Sequence, residues 1–252
     1  MGLACKRPGL AAVRSPLSLS KFLLPKLPAD YWLTLRLTLA LAASTAALLL
    51  LLATPLAYAL VHGRSRFKPL AEAVVSLPLV LPPTVIGFYL LLAFSDSTAI
   101  GRFLINDLGL SLNFTFAGIL AGSLVYSLPF MVQPLQAGFQ QVPRALSEAA
   151  YTLGKSRLTT LWRVLLPNMK PALLNGLVLT FAHTLGEFGV VMMLGGSLPG
   201  RTRVASIAIY DEVQSLHYAQ ANAYALTLLV VAFLLLVALY WFTKKDTARR
   251  LA

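Results

Sequence analysis

The sequence predicts an all-α, polytopic membrane protein, a bundle of about five transmembrane helices. Two observations carry this. Charged residues are only 12% of the chain, about half the share usual in soluble domains. The apolar residues are gathered into long runs, several exceeding the roughly 18 residues that mark a membrane span. A soluble core could bury one such run, but not a series of them.

The elements follow in order. Residues 1–30 hold Lys6, Arg7, Arg14, Lys21 and Lys26 among several prolines, a basic tail with neither a span nor a signal-like apolar stretch. The first span covers about 33–61, a nearly unbroken Leu/Ala run. At about 1.5 Å per residue it exceeds the hydrocarbon thickness, so it tilts or protrudes. Arg36, near its start, can snorkel to the interface. A basic loop with Arg64, Arg66 and Lys68 leads to the second span, about 71–94, which contains Pro78, Pro82 and Pro83. Prolines remove backbone donors and kink a span, and they mark places for helix irregularity along a pathway.

A loop with Asp96, Arg102 and Asp107 precedes the third span, about 116–138, which carries Pro129 and Pro134. Residues 139–171 form a long polar-to-amphipathic stretch, and the fourth span follows at about 172–194. Residues 195–222 are too polar to span, with a short helix expected over 206–214. The fifth span, about 223–242, ends in a basic tail over 244–252 with Lys244, Lys245, Arg249 and Arg250. The transmembrane domain is therefore 31–243, flanked by two basic tails.

The net charge of +12 fits the enrichment of Lys and Arg on cytoplasmic loops better than nucleic-acid binding, for the basic residues cluster between spans without interleaved aromatics. If the 139–171 loop is cytoplasmic, alternation puts 62–70 and the C-terminal tail inside as well, and both are basic. The same alternation puts the basic N-terminal tail outside, against the rule. It then lies along the interface, or the true start is further downstream. The single cysteine, Cys5, excludes an internal disulfide and a cysteine metal site. The three histidines, His62, His183 and His217, show no ligand spacing, so neither a metal nor a cofactor is expected, and no nucleophile–base set points to an enzyme.

Function is carried by Glu148 to Pro167, EAAYTLGKSRLTTLWRVLLP. Residues 145–153 are good helix formers, with Pro143 near the start and Gly154 at the end, where a left-handed cap costs least. A second short helix over about 158–166 is expected to stop at Pro167. Two short helices around a glycine turn make a rigid knob. The set Glu148, Ala149, Ala150, then Gly154, Val164, Leu166 and Pro167 resembles the EAA signature of permease subunits of bacterial ATP-binding-cassette importers, with Val164 where that family often has isoleucine. The resemblance implies that this knob docks in a groove of a separate ATPase. Gly154, Lys155 and Ser156 also fit the loosest phosphate-loop pattern, but they follow helix formers rather than a strand and lack the first glycine.

A second resemblance narrows the subfamily. SLPLVLPPTVIGFYLL around span two and the Gly186–Glu187–Phe188–Gly189 segment look like molybdate-type permeases; sulfate, iron and tungstate permeases share parts of the pattern. The resemblance implies a small importer-permease (MetI-like) fold with a five-helix core. It further implies a homodimer, two ATPase subunits and a periplasmic or surface-anchored molybdate-binding protein. The chain itself would be non-catalytic and reside in the bacterial inner membrane with its C-terminus cytoplasmic. A sulfate importer is the near alternative; a secondary transporter is a distant one, since no inverted repeat is evident. Pro82, Pro83, His183 and Glu187 are candidates for a gate or pathway, Glu187 and His183 being ionisable groups one helical turn apart within the fourth span. Arg201 and Arg203, on the expected external side, are candidates for binding-protein docking.

Overall fold

The computed structural model describes residues 27–251, with side chains described as far as Trp241. Most of the basic N-terminal tail, and the side chains of the C-terminal one, lie outside that range. The described residues are helical, with no strand among them. Helix α1, Tyr31–His62, is one unbroken element of 32 residues. Its buried positions recur at helical spacing and are mostly small, among them Thr38, Ala42, Thr45, Ala46, Ala53 and Ala57. Small side chains let backbones approach closely, which drives helix association in lipid. The seam packs against α5, Phe116–Gln141, and α9, Lys170–Leu185, and these three helices form the centre of the bundle. Helix α12, Tyr218–Leu251, closes one side.

Two of the five expected spans are not continuous. The second divides into α2, Lys68–Ser76, prolonged by a tight turn over Leu77–Leu79, and α3, Pro83–Ala93, the two parts meeting at 109°. A kink was expected here, and a break is found. Each proline of the Pro82–Pro83 pair disfavours helical geometry at the preceding residue, and here the two effects fall on adjacent residues. Pro82 is accordingly extended, at φ −55° and ψ 137°, and Pro83 opens the next helix. The isolated Pro129 and Pro134 leave α5 intact.

The fourth span likewise stops at Leu185 and restarts as α10, Gly189–Gly195. Glu187 therefore lies in the gap rather than one turn after His183 on a continuous helix. Two glycines weaken the helix there, and the Ser206 hydroxyl donates to the carbonyl of Glu187 at 2.6 Å. Between spans lie α4, Ala99–Arg102, then α6, Arg144–Thr152, α7, Arg157–Thr160, and α8, Leu166–Asn168. Helix α11, Ala205–Gln214, occupies the place where a short helix was expected.

The core has two ends. At one, Leu49, Ala53 and Leu60 of α1 pack with Met131 and Leu135 of α5 and with Leu161, Leu165 and Leu166 of the 139–171 loop. At the other, Tyr31 and Leu35 pack against Ala205, Ala208, Ala223 and Tyr224. The 139–171 loop and α11 thus sit at opposite ends of α1. Tyr240, late in α12, shares a cleft with Pro171, so α12 runs back toward the loop.

Candidate functional site

The 139–171 loop is built on a single glycine turn. Pro143 caps α6, and Gly154 adopts φ +71°. Its N–H donates to Tyr151 O at 2.9 Å and the Lys155 N–H to Ala150 O at 3.0 Å. This pair of bonds satisfies the last carbonyls of the helix with a left-handed residue between them. Ser156 then caps α7, its Oγ accepting from the Thr159 N–H at 3.2 Å. The Gly–Lys–Ser triplet is therefore a helix–turn–helix joint, preceded by a helix and not by a strand.

Pro167 does not stop the second helix at Leu166. A wide turn over Leu161–Leu165 precedes it, and helical geometry continues to Asn168, where the chain bends by 82° into α9. The Asn168 side-chain amide donates to Val164 O at 2.7 Å, next to the Arg163 carbonyl that the proline ring leaves without its helical donor.

The loop has an inner and an outer face. Ala150 and Leu166 are buried and Val164 is half-buried, whereas Glu148, Ala149 and Pro167 are exposed. Glu148 makes no ion pair among the described residues. On either side of the glycine turn in sequence, Leu153 and Leu158 are exposed at 76% and 66%. A groove of about 630 Å³ runs between α6 and the end of α1, lined by His62, Arg64, Gln140, Ser147, Glu148 and Tyr151. Residues that sequence reasoning missed, Leu161, Leu165 and Met169, anchor the knob to the bundle. Their signal was apolar periodicity just past the glycine.

The two interrupted spans meet. A Cβ on Gly189 would lie 2.8 Å from Pro83 Cβ, and one on Gly87 2.8 Å from Met193 Cβ, so α3 and α10 touch through glycines. The Pro82–Pro83 and Gly186–Gly189 segments, more than a hundred residues apart in sequence, form one joint. Glu187 is 3% exposed at its edge, and neither carboxylate oxygen has a partner in full hydrogen-bond geometry. The buried Ser123 hydroxyl lies beside it. His183 is turned elsewhere, its ring stacked on Phe130 at 3.8 Å between centroids.

At the opposite end, Arg203 and Arg201 differ. Arg203 faces inward, pairing with Asp30 at 2.8 Å, Asp211 at 3.2 Å and Glu212 at 3.2 Å. Burial alone would lower its pKa, but these carboxylates hold it above the ordinary arginine value. The network ties the start of α1 to the segment after α10 and to α11. His217 extends it through Glu212, at 3.1 Å. Arg201 is exposed.

Residues 50–245 match the family described as binding-protein-dependent transport system inner membrane component. The molybdenum transport system permease protein ModB of Azotobacter vinelandii is 47% identical over 207 residues, covering 82% of this chain and 91% of that one. A probable sulfate transport system permease protein of Nephroselmis olivacea is 34% identical over 186 residues, covering 74% and 65% respectively. The crystal structure of a bacterial ABC transporter that imports the acidic polysaccharide alginate superposes with a TM-score of 0.71 at 19% identity, over 90% of this chain and 82% of that one. At that identity the likeness shows the fold.

Proposed function

Since the chain belongs to the binding-protein-dependent transport inner membrane components, the permeases of ATP-binding-cassette importers, we propose that it forms one half of a molybdate pathway. The observation that carries the substrate is the 47% identity to a molybdenum permease along nearly its whole length, against 34% to a sulfate permease. Two copies related by a two-fold axis enclose the path, with an ATPase subunit on each and a molybdate-binding protein on the opposite face. The chain does no bond chemistry of its own. The 139–171 loop, the loop after α1 and the end of α12 face the cytoplasm.

In this reading the exposed face of Glu148 to Leu158 seats in the ATPase, with Glu148 offered to a basic group there. Val164, Leu166 and Pro167 hold the second half of the knob. Because Leu161, Leu165 and Met169 are packed on α1 and α5, displacement of the knob is transmitted to the central helices rather than absorbed in the loop. The joint of Pro82, Pro83 and Gly189 lets α3 and α10 move together against the bundle. Glu187 stands beside that joint, while His183 packs on Phe130 of α5. A fixed negative charge in the lining would oppose an oxyanion, and the burial of Glu187 keeps its carboxyl among helices. On the external face Arg201 is offered to the binding protein, and Arg203 holds the surface in shape.

Uptake of labelled molybdate by cells lacking this gene, with and without the chain restored, tests the substrate. Restored uptake together with a stoichiometric co-purified ATPase is expected. Restored sulfate uptake alone would transfer the assignment to sulfate.

A further inference from the structure

A second groove lies on the outside of the bundle, where α1 meets the arm formed by α7, α8 and the start of α9. It has a volume of about 320 Å³ and is walled by Leu50, Leu51, Leu173, Pro167 and Trp162, with Lys170 the one charged residue in its lining. The lining is apolar almost throughout. Even Thr54 there spends its hydroxyl on the Leu50 carbonyl, at 2.5 Å, and leaves its methyl to the groove. Leu51 and Trp162 are 60% and 54% exposed.

Leu51 lies about 16 Å along α1 from its end at His62, at about 1.5 Å per residue. The groove meets α1 at Leu50, Leu51 and Thr54, within about one helical turn, and Lys170 lines the same groove.

The polar end selects a charge. No acidic residue occurs between Glu148 and Glu187, while Lys155, Arg157, Arg163 and Lys170 all do. Lys170 is the first residue of α9, whose start has no side-chain cap. A cation at a helix N-terminus opposes the helix dipole, which favours an anion there. An anion beside Lys170 would be favoured by the ammonium and the helix dipole together, although Pro171 leaves this helix start one N–H short.

We propose that this groove binds an anionic phospholipid, its acyl chain along Leu50 and Leu51 and its phosphate at Lys170. The site rests on the reading that the 139–171 face meets the cytoplasmic membrane surface. Because its walls come from both the central helix and the coupling arm, a bound lipid braces one against the other.

The test uses the full chain with Trp32 and Trp241 replaced by phenylalanine, leaving Trp162 as its one tryptophan, reconstituted in phosphatidylcholine vesicles. Brominated phosphatidylglycerol should quench Trp162 with a relative binding constant about fivefold above that of brominated phosphatidylcholine, the worth of one lysine near a charged surface. Lys170→Gln should bring the ratio close to one, and Lys68→Gln, in a separate basic loop, should leave it unchanged. Equal quenching by the two lipids would overturn the proposal by making the groove ordinary annular surface. Absence of quenching by either would overturn it by placing protein in the groove. Both leaflets carry the same lipid, so the result is independent of orientation, which cysteine labelling at position 156 reads separately.

Discussion

Replacing Gly154 isolates the turn on which the proposed docking knob depends. The residue sits at φ +71°, and a Cβ built on it meets nothing within 4 Å. Steric collision within the chain is therefore absent, and the cost of a side chain is the left-handed backbone alone. For an L-residue that is about 1–2 kcal/mol. Alanine should fall near the lower figure and β-branched valine near or above the upper one. Asparagine, which tolerates this region, should cost a few tenths of a kcal/mol. If docking requires α6 and α7 to be held together by this turn, the strain reappears as lost affinity, with about 1.4 kcal/mol per tenfold. Binding of the ATPase to the permease in nanodiscs should then weaken about fivefold for Gly154→Ala and about thirtyfold for Gly154→Val, and little for Gly154→Asn. Insertion and the melting of the transmembrane bundle should be unchanged. Wild-type affinity in the valine variant, or equal losses for asparagine and valine, would refute the reasoning.

Three further outcomes follow from the same geometry. Gly189→Ala places a Cβ 2.8 Å from Pro83 Cβ and 3.1 Å from the Thr84 backbone nitrogen. It should lower stability by about 1–3 kcal/mol and slow transport, whereas Gly186→Ala, whose nearest neighbour is 3.8 Å away, should be tolerated; thermal melting and uptake read both. Arg203→Met leaves Asp30, Asp211 and Glu212 facing one another and should cost about 3 kcal/mol, visible as a drop in melting temperature absent from Arg201→Met. Cysteine at Ser65 or Ser156 should react in intact cells only with membrane-permeant reagents and cysteine at Ser197 with impermeant ones, and external labelling at 156 would reverse the orientation.

Much of this architecture was legible in the sequence because hydrocarbon imposes one rule. Long apolar runs must be helices, and α1, α5 and α12 lie where the runs are. The knob was legible too, since Pro143 and Gly154 each act through local backbone geometry. What sequence reading missed depended on contacts between distant segments. The gap at Gly186 to Phe188 is stabilised by Ser206 and shaped by Pro83, and a hydropathy run cannot register either. Helix continues past Pro167 for a local reason, because the wide turn over Leu161–Leu165 leaves the proline in the first turn of α8. The inward turn of Arg203 reflects Asp30, 173 residues earlier. A basic residue in a polar segment reads the same whether it faces solvent or three carboxylates.

The substrate is tested most directly by the ATPase rate of the reconstituted transporter in liposomes. Molybdate, tungstate and sulfate are tetrahedral dianions that differ chiefly in size, so selection belongs mainly to the closed pocket of the binding protein. The permease then decides which loaded binding protein can trigger it. Molybdate-loaded binding protein should stimulate hydrolysis, with tungstate similar and sulfate weak. Stimulation by a sulfate-binding protein, with none by a molybdate-binding one, would contradict the account.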